Sequence, residues 1–196
     1  THSRSSAASD VYKRQPSTVF MQGRLRHPFR LYSNDDGTVC AVICEVTLPF
    51  GLHDIVNTIL DWAEKKGSHE IVILDGVAST GHDDKAFCAA EEDLCRVMEG
   101  NDIKMIPQGF ITGVAGGLLN ECLVRKIQGV TLLVKANDKG PDPLAAATLV
   151  KAVNRAYDMN IDTTELRKEK KRIDADFREL SDKYTEHRKI DSNMYM

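Results

Sequence analysis

"GVTLLVKANDKGPDPLAAATLVKAVNRAY", Gly129–Tyr157, sets an apolar strand directly before a capped helix, and that junction decides the fold class. Val130–Val134 is apolar but for Thr131, the pattern of a strand covered on both faces. Eight residues further, Asp142 stands where an N-cap carboxylate accepts from the first turn. Pro143 takes the first helical position, where its missing N–H leaves no intrahelical bond unmade.

The same alternation runs upstream. "GLHDIVNTILDWAEKKG", Gly51–Gly67, repeats apolar residues at three and four (Leu52, Ile55, Val56, Ile59, Leu60, Ala63) and carries Lys65 and Lys66 in its last turn. "HEIVILDGV", His69–Val77, is a short apolar strand expected to end on Asp75 and Gly76. Gly81–Phe87 is expected as a loop, "AAEEDLCRVMEG", Ala89–Gly100, as a helix, and Ile103–Gln128 as a strand, a glycine-rich turn and a helix. Nearer the start, Val19–Met21, Leu25–Tyr32 and Val39–Val46 are expected as three successive strands, with turns at Gln22–Gly23 and Asn34–Gly37. The third is β-branched and nearly continuous, so it is expected to be central, buried on both faces and ended by Pro49. With the helix after it, it predicts a parallel pairing to the next strand through a right-handed crossover. Strands alternating with helices predict a layered α/β/α domain with a mainly parallel mixed sheet.

From Asp162 the composition changes to dense charge. Leu166, Ile173, Phe177, Leu180 and Tyr184 recur at seven, four, three and four, a narrow apolar stripe on a long helix over 163–190 that Thr163 or Thr164 can cap. So thin a stripe suits a partner helix or docking back on its own domain.

The 26 basic and 29 acidic residues are interspersed, which gives no field directed at nucleic acid or an anionic membrane. No apolar run nears the roughly 20 residues that span a bilayer, and a cytoplasmic location is expected. Cys40, Cys44, Cys88, Cys95 and Cys122 include no C-x-x-C and are read as reduced, buried core thiols. Cys40 and Cys44 share a strand face, but no histidine is placed to complete a metal site. Trp62 and Met98 fall on apolar helix faces and are read as core.

The turn "GFITGVAGGLL", Gly109–Leu119, has neither G-K-[ST] nor G-x-G-x-x-G, so Gly113, Gly116 and Gly117 are assigned to a tight turn and close helix packing. Asp75 at a strand end, with His82, Asp83 and Asp84 in the adjoining loop, is a place where α/β proteins bind ligands. It lacks a nucleophile–base pair, and no catalytic, cofactor or metal residue is assigned. The alternative is a phosphorylase- or hydrolase-like enzyme taking a nucleoside-like ligand near Asp75, Thr112 and Asn137.

Taken together, "FRLYSNDDG", "CEVTLP", "EIVILDGVAS", "ITGVAGGLL", "GVTLLVKA", "PDPLAAATLVKAVNR" and "IDTTEL" occur in an order that resembles the proteasome assembly chaperone family over about Pro16–Leu166. The resemblance implies a fold like nucleoside phosphorylases used for holding proteins, with no cofactor, homo-oligomers, and 20S core α subunits as partners. It also implies an initial strand and F-P-G-type turn that the chain does not show. In their place "SSAASDVYKRQ", Ser5–Gln15, back-translates in frame to a sequence similar to a transposase library adapter. Residues 1–15 are therefore expected to be non-native and disordered, 16–162 an α/β domain lacking its first strand, 163–190 a helix and 191–196 a docking tail. Archaeal members with a long carboxyl-terminal arm end it in a hydrophobic residue, tyrosine, then any residue. Met194, Tyr195 and Met196 fit that pattern. The Met196 carboxylate would pair with a partner lysine, Tyr195 would enter a groove and Met194 an irregular apolar slot.

Overall fold

The structure is a computed structural model that describes residues 19–21, 23–45, 51–79, 83–138 and 140–176. The chain forms two compact units, one of Thr1–Gly67 with Ile111–Leu118, the other of Ser68–Phe110 with Leu119–Met196.

In the first unit, strands β1 (Val19–Met21) and β2 (Arg24–Arg26) pair antiparallel, as do β3 (Phe29–Ser33) and β4 (Cys40–Cys44). The expected strand Leu25–Tyr32 is thus two strands. Pro28, with no N–H to give a ladder, separates them, and its carbonyl accepts from Glu45 N at 3.0 Å. The expectation that Val39–Val46 is buried on both faces is also corrected. Val42 is 41% exposed and Ile43 38%. A β-branched run records strand preference, while burial depends on which layers cover the strand. Helix α1 (Leu52–Lys65) buries Val56, Leu60 and Ala63 at the predicted spacing.

The second unit holds a mixed sheet in the order β5-β8-β6-β7, formed by Glu70–Ala78, Gln128–Ala136, Ala86–Ala90 and Lys104–Met105 respectively. The pairs β5/β8 and β6/β7 are parallel, and β6/β8 is antiparallel. The parallel partner of β5 is therefore β8, whereas β4 pairs with β3, so the expected pairing of consecutive strands across α1 gives way to this order. Strand β6 occupies residues expected to be loop and helix start. Its Ala86 and Cys88 are buried.

Helix α2 (Glu92–Gly100) and helix α4 (Pro143–Ala156) cover one sheet face, where Cys95, Met98, Ala145, Leu149 and Ala152 join Ala86, Cys88, Val130, Leu132 and Val134 in one core. On the opposite face lies the later part of helix α3 (Gly113–Arg125). A Cβ on Gly129 would stand 2.9 Å from Cys122 Cβ, so glycine there lets helix and strand meet closely. Three layers result, as expected. Asp142 caps α4 as the sequence predicts. Its Oδ1 accepts from Ala145 N at 3.1 Å and its Oδ2 from Asn137 N at 3.0 Å.

Three helices end with a side-chain-bearing residue in the left-handed region. Asp102, Lys126 and Asp158 have φ of 59°, 58° and 49°. In each case the next residue's N–H reaches back across the turn: Ile103 to Met98 O, Ile127 to Cys122 O and Met159 to Asn154 O, all at 3.0 Å. These bonds satisfy carbonyls that a helix end otherwise leaves open.

Residues 164–176 are helical, with Leu166 and Ile173 half-buried. The first N–H of this helix is met by Asp162, whose carboxylate accepts from Thr164 N at 2.9 Å and Thr164 Oγ1 at 2.7 Å. Those bonds hold the Asp162 carboxyl below its ordinary pKa. Capping thus falls to Asp162 and not to a threonine hydroxyl. Phe177, Leu180 and Tyr184 lie outside the described residues.

Candidate functional site

Asp75 is not at a strand end. β5 runs three residues further to Ala78, and Asp75 pairs in register with Leu133, four residues before Asn137. Its Oδ1 accepts from Gly76 N at 2.7 Å. Asn137 N–H is held by Asp142, so the two residues serve separate local bonds and are not brought together. Asp83 faces Lys135, Oδ2 to Nζ 3.3 Å, in an ion pair that neutralises the loop carboxylate. His82 lies outside the described residues. Among the described residues no group of three or more His, Cys, Asp or Glu could hold a metal.

The glycine-rich stretch builds the start of a helix. Gly113 opens α3 at φ 69°, and Gly116 and Gly117 lie inside it. A Cβ at Gly116 would strike the Ile111 carbonyl, and one at Gly117 would stand 2.8 Å from Val56 Cγ2. The assignment to close helix packing is met at Gly117 against α1. Thr112 precedes this helix in the first unit and is exposed.

The thiols divide. Cys88, Cys95 and Cys122 are buried, but Cys40 is exposed and Cys44 half-buried, which corrects the assignment of all five to the core. Four successive residues of β4, Cys40–Ile43, are exposed, so residues on either face of this strand meet water whatever their chemistry. Burial pushes the Cys88 thiol up to about 12, so it stays protonated and unreactive at neutral pH. Cys122 is raised in the same direction by burial. Met98 is core at 1% exposed, and Trp62 is half-buried.

Trp62 instead lines an apolar groove of ≈330 Å³ in the first unit. Phe29 and Leu31 share one face of β3, Val42 is opposite Leu31, and Ile55, Ile59 and Trp62 recur along α1. Leu31 is 51% exposed, so the layer is only partly closed. Its polar groups are already engaged. Thr58 donates to Asp54 O at 2.6 Å, and Arg30 makes two 2.7 Å bonds to Glu45. The fork-to-fork contact holds the guanidinium above its usual pKa and the carboxyl below its own. Such a groove can hold apolar side chains; it has no group poised for proton transfer or nucleophilic attack. The Arg30–Glu45 pair escaped sequence reasoning because the two lie 15 residues apart on strands whose register was not yet known.

The model of the PAC2 family matches residues 4–181. This chain belongs to the PAC2 family. The match takes in Ser5–Gln15 as well as the α/β domain and part of the charged arm. Among solved structures, a protein of Thermoplasma acidophilum described as of unknown function is 34% identical, with a TM-score of 0.75 over 90% of this chain and 74% of that one. PbaA of Pyrococcus furiosus, described as an archaeal homologue of proteasome-assembly chaperone, superposes with a TM-score of 0.81 at 24% identity over 93% and 77%. PbaB of the same organism, described as an archaeal proteasome activator, gives 0.70 at 20% over 84% and 77%. Solved structures that share this fold thus include one described as a homologue of proteasome-assembly chaperone and one described as a proteasome activator. Met194, Tyr195 and Met196 lie outside the described residues. Among those residues, no helix is long and apolar enough to cross a membrane.

Proposed function

We propose that this PAC2 protein is a cytoplasmic, non-enzymatic, homo-oligomeric proteasome assembly chaperone that engages 20S core α subunits through Met194, Tyr195 and Met196. The observation that carries the proposal is the PAC2 match over residues 4–181, within a fold shared with PbaA. The groups met at Asp75, Asp83 and Asn137 are bound into local structure, which favours a holding role over chemistry. One tail binds weakly because it gains a single aromatic anchor and one charge pair. Several tails on one oligomer bind together, and effective concentration multiplies their affinity by about 10²–10⁴.

The test is association of purified protein with archaeal proteasome α subunits by co-purification and surface plasmon resonance. Deleting Met194–Met196 is expected to weaken binding at least about tenfold, as is Tyr195→Ala, for loss of about 1.4 kcal/mol or more per contact set. Extending the chain beyond Met196 by a short tag removes the terminal carboxylate and is expected to have the same effect. Unchanged association on deletion of the three residues sinks the docking assignment.

A further inference from the structure

Between α4 and the helix at 164–176 the chain has no glycine or proline, and hydrogen bonds engage Tyr157, Met159, Ile161, Asp162 and Thr163. Asn154 holds it most directly. Its Nδ2 donates to Ile161 O at 2.9 Å, and its Oδ1 accepts from Ile161 N at 2.9 Å. The side-chain amide thus pairs with the backbone of a residue seven positions on, much as a neighbouring strand would. The Asn154 carbonyl also accepts from Met159 N at 3.0 Å. Tyr157 ties the start of the connection to the first residue of β5, its hydroxyl donating to Glu70 Oε1 at 2.6 Å. Asp162 then caps the next helix, and Arg167 N reaches Thr163 O at 3.3 Å. A connection of seven residues or so with free polar groups would let the following helix swing. Here the backbone donors at 157, 159, 161 and 164 each have a partner.

We propose that residues 157–164 form a fixed elbow, with Asn154 as the positioning residue that sets the direction in which the carboxyl-terminal helix leaves the domain. The elbow converts that helix from a tether into a directed arm. Where the docking proposal holds, on which this one consequence rests, the elbow determines where each tail is presented and so how many can engage one partner at once. A tethered tail searches a volume, whereas a directed one is held near its target, which raises its effective concentration.

The test reads direction on the full-length protein alone. Nitroxide labels are attached through Lys151→Cys on α4 and Lys171→Cys on the arm, both exposed positions, with Cys40 and Cys44 replaced by serine. Pulsed electron spin resonance is expected to give one narrow distance distribution. Asn154→Ala should broaden it about twofold and raise amide exchange at Ile161 about tenfold. Asn154→Asp, which keeps the acceptor and loses the donor, should fall between. A distribution already broad with Asn154 intact, or a width unmoved by Asn154→Ala, overturns the elbow. Because both readouts need no proteasome, a narrow distribution without α-subunit binding defeats the docking proposal and supports the elbow.

Discussion

Replacing Asp142 by alanine tests how β8 is joined to α4. The carboxylate makes two bonds there, to Ala145 N and to Asn137 N. Pro143 brings no N–H, so the cap bond to Ala145 meets one of the few donors the helix start leaves open. Loss of an N-cap costs about 1 kcal/mol, and the second bond, at an exposed amide that water can replace, about 0.5–1 kcal/mol. The sum is about 1.5–2 kcal/mol. With a urea slope of about 2 kcal/mol/M, the unfolding midpoint falls by ~0.8–1 M. Asp142→Asn keeps a capping oxygen but turns its amide toward the Asn137 N–H, so about half the loss is expected. Far-UV circular dichroism follows the transition. Trp62, the single tryptophan, lies in the first unit, and its fluorescence separates that unit's response from that of the unit holding Asp142. Equal midpoints for the alanine and asparagine variants would refute the two-bond account, as would an alanine shift below ~0.25 M.

Lys126 occupies a left-handed position that costs a side-chain-bearing residue about 1 kcal/mol. Lys126→Gly is expected to raise stability by about 0.5 kcal/mol after the added freedom of the unfolded glycine is counted, and a lower urea midpoint would contradict this. Tyr157 is raised above its ordinary pKa by burial and then by its bond to Glu70. The unfolded phenol releases its proton near pH ~10 while the folded one retains it, so this contribution is full below pH ~10 and is lost as pH rises beyond. Stability should therefore fall more steeply above pH ~10 in the wild type than in Tyr157→Phe; parallel pH profiles would remove the assignment.

The elements read correctly in the sequence are those whose signals are local. Asp142 and Pro143 announce α4, and the apolar run Val130–Val134 announces β8, because capping and two-sided burial leave their mark on adjacent residues. Strand β6 was hidden. "AFCAA" has little β-preference, and Ala86–Ala90 becomes a strand because β8 offers it a ladder and small side chains fit under α4. The exposure of Cys40, Val42 and Ile43 was likewise invisible, since identical residues in a covered strand would give the same pattern. Asp75 was placed at a strand end because Gly76 usually signals one; the ladder to β8 carries the strand through it. As for Met194, Tyr195 and Met196, proposed to dock, their motif was legible only through family likeness, since three residues carry too little periodicity or chemistry to speak alone. Asn154 gave no signal either, its partner being a backbone group seven residues away.

Both sheet neighbours of β8, β5 and β6, precede it in the chain, and this sets an order on synthesis. Glu70–Ala78 emerges from the ribosome some fifty residues before Gln128–Ala136, its ladder partner among the described residues, and Ala86–Ala90 some forty residues before the same strand. Until residue 136 is available, the nascent polypeptide carries two apolar segments with open edges, the condition under which translation pauses and crowding favour aggregation. A protein proposed to guard the assembly of others thus passes through an interval in which it needs guarding itself.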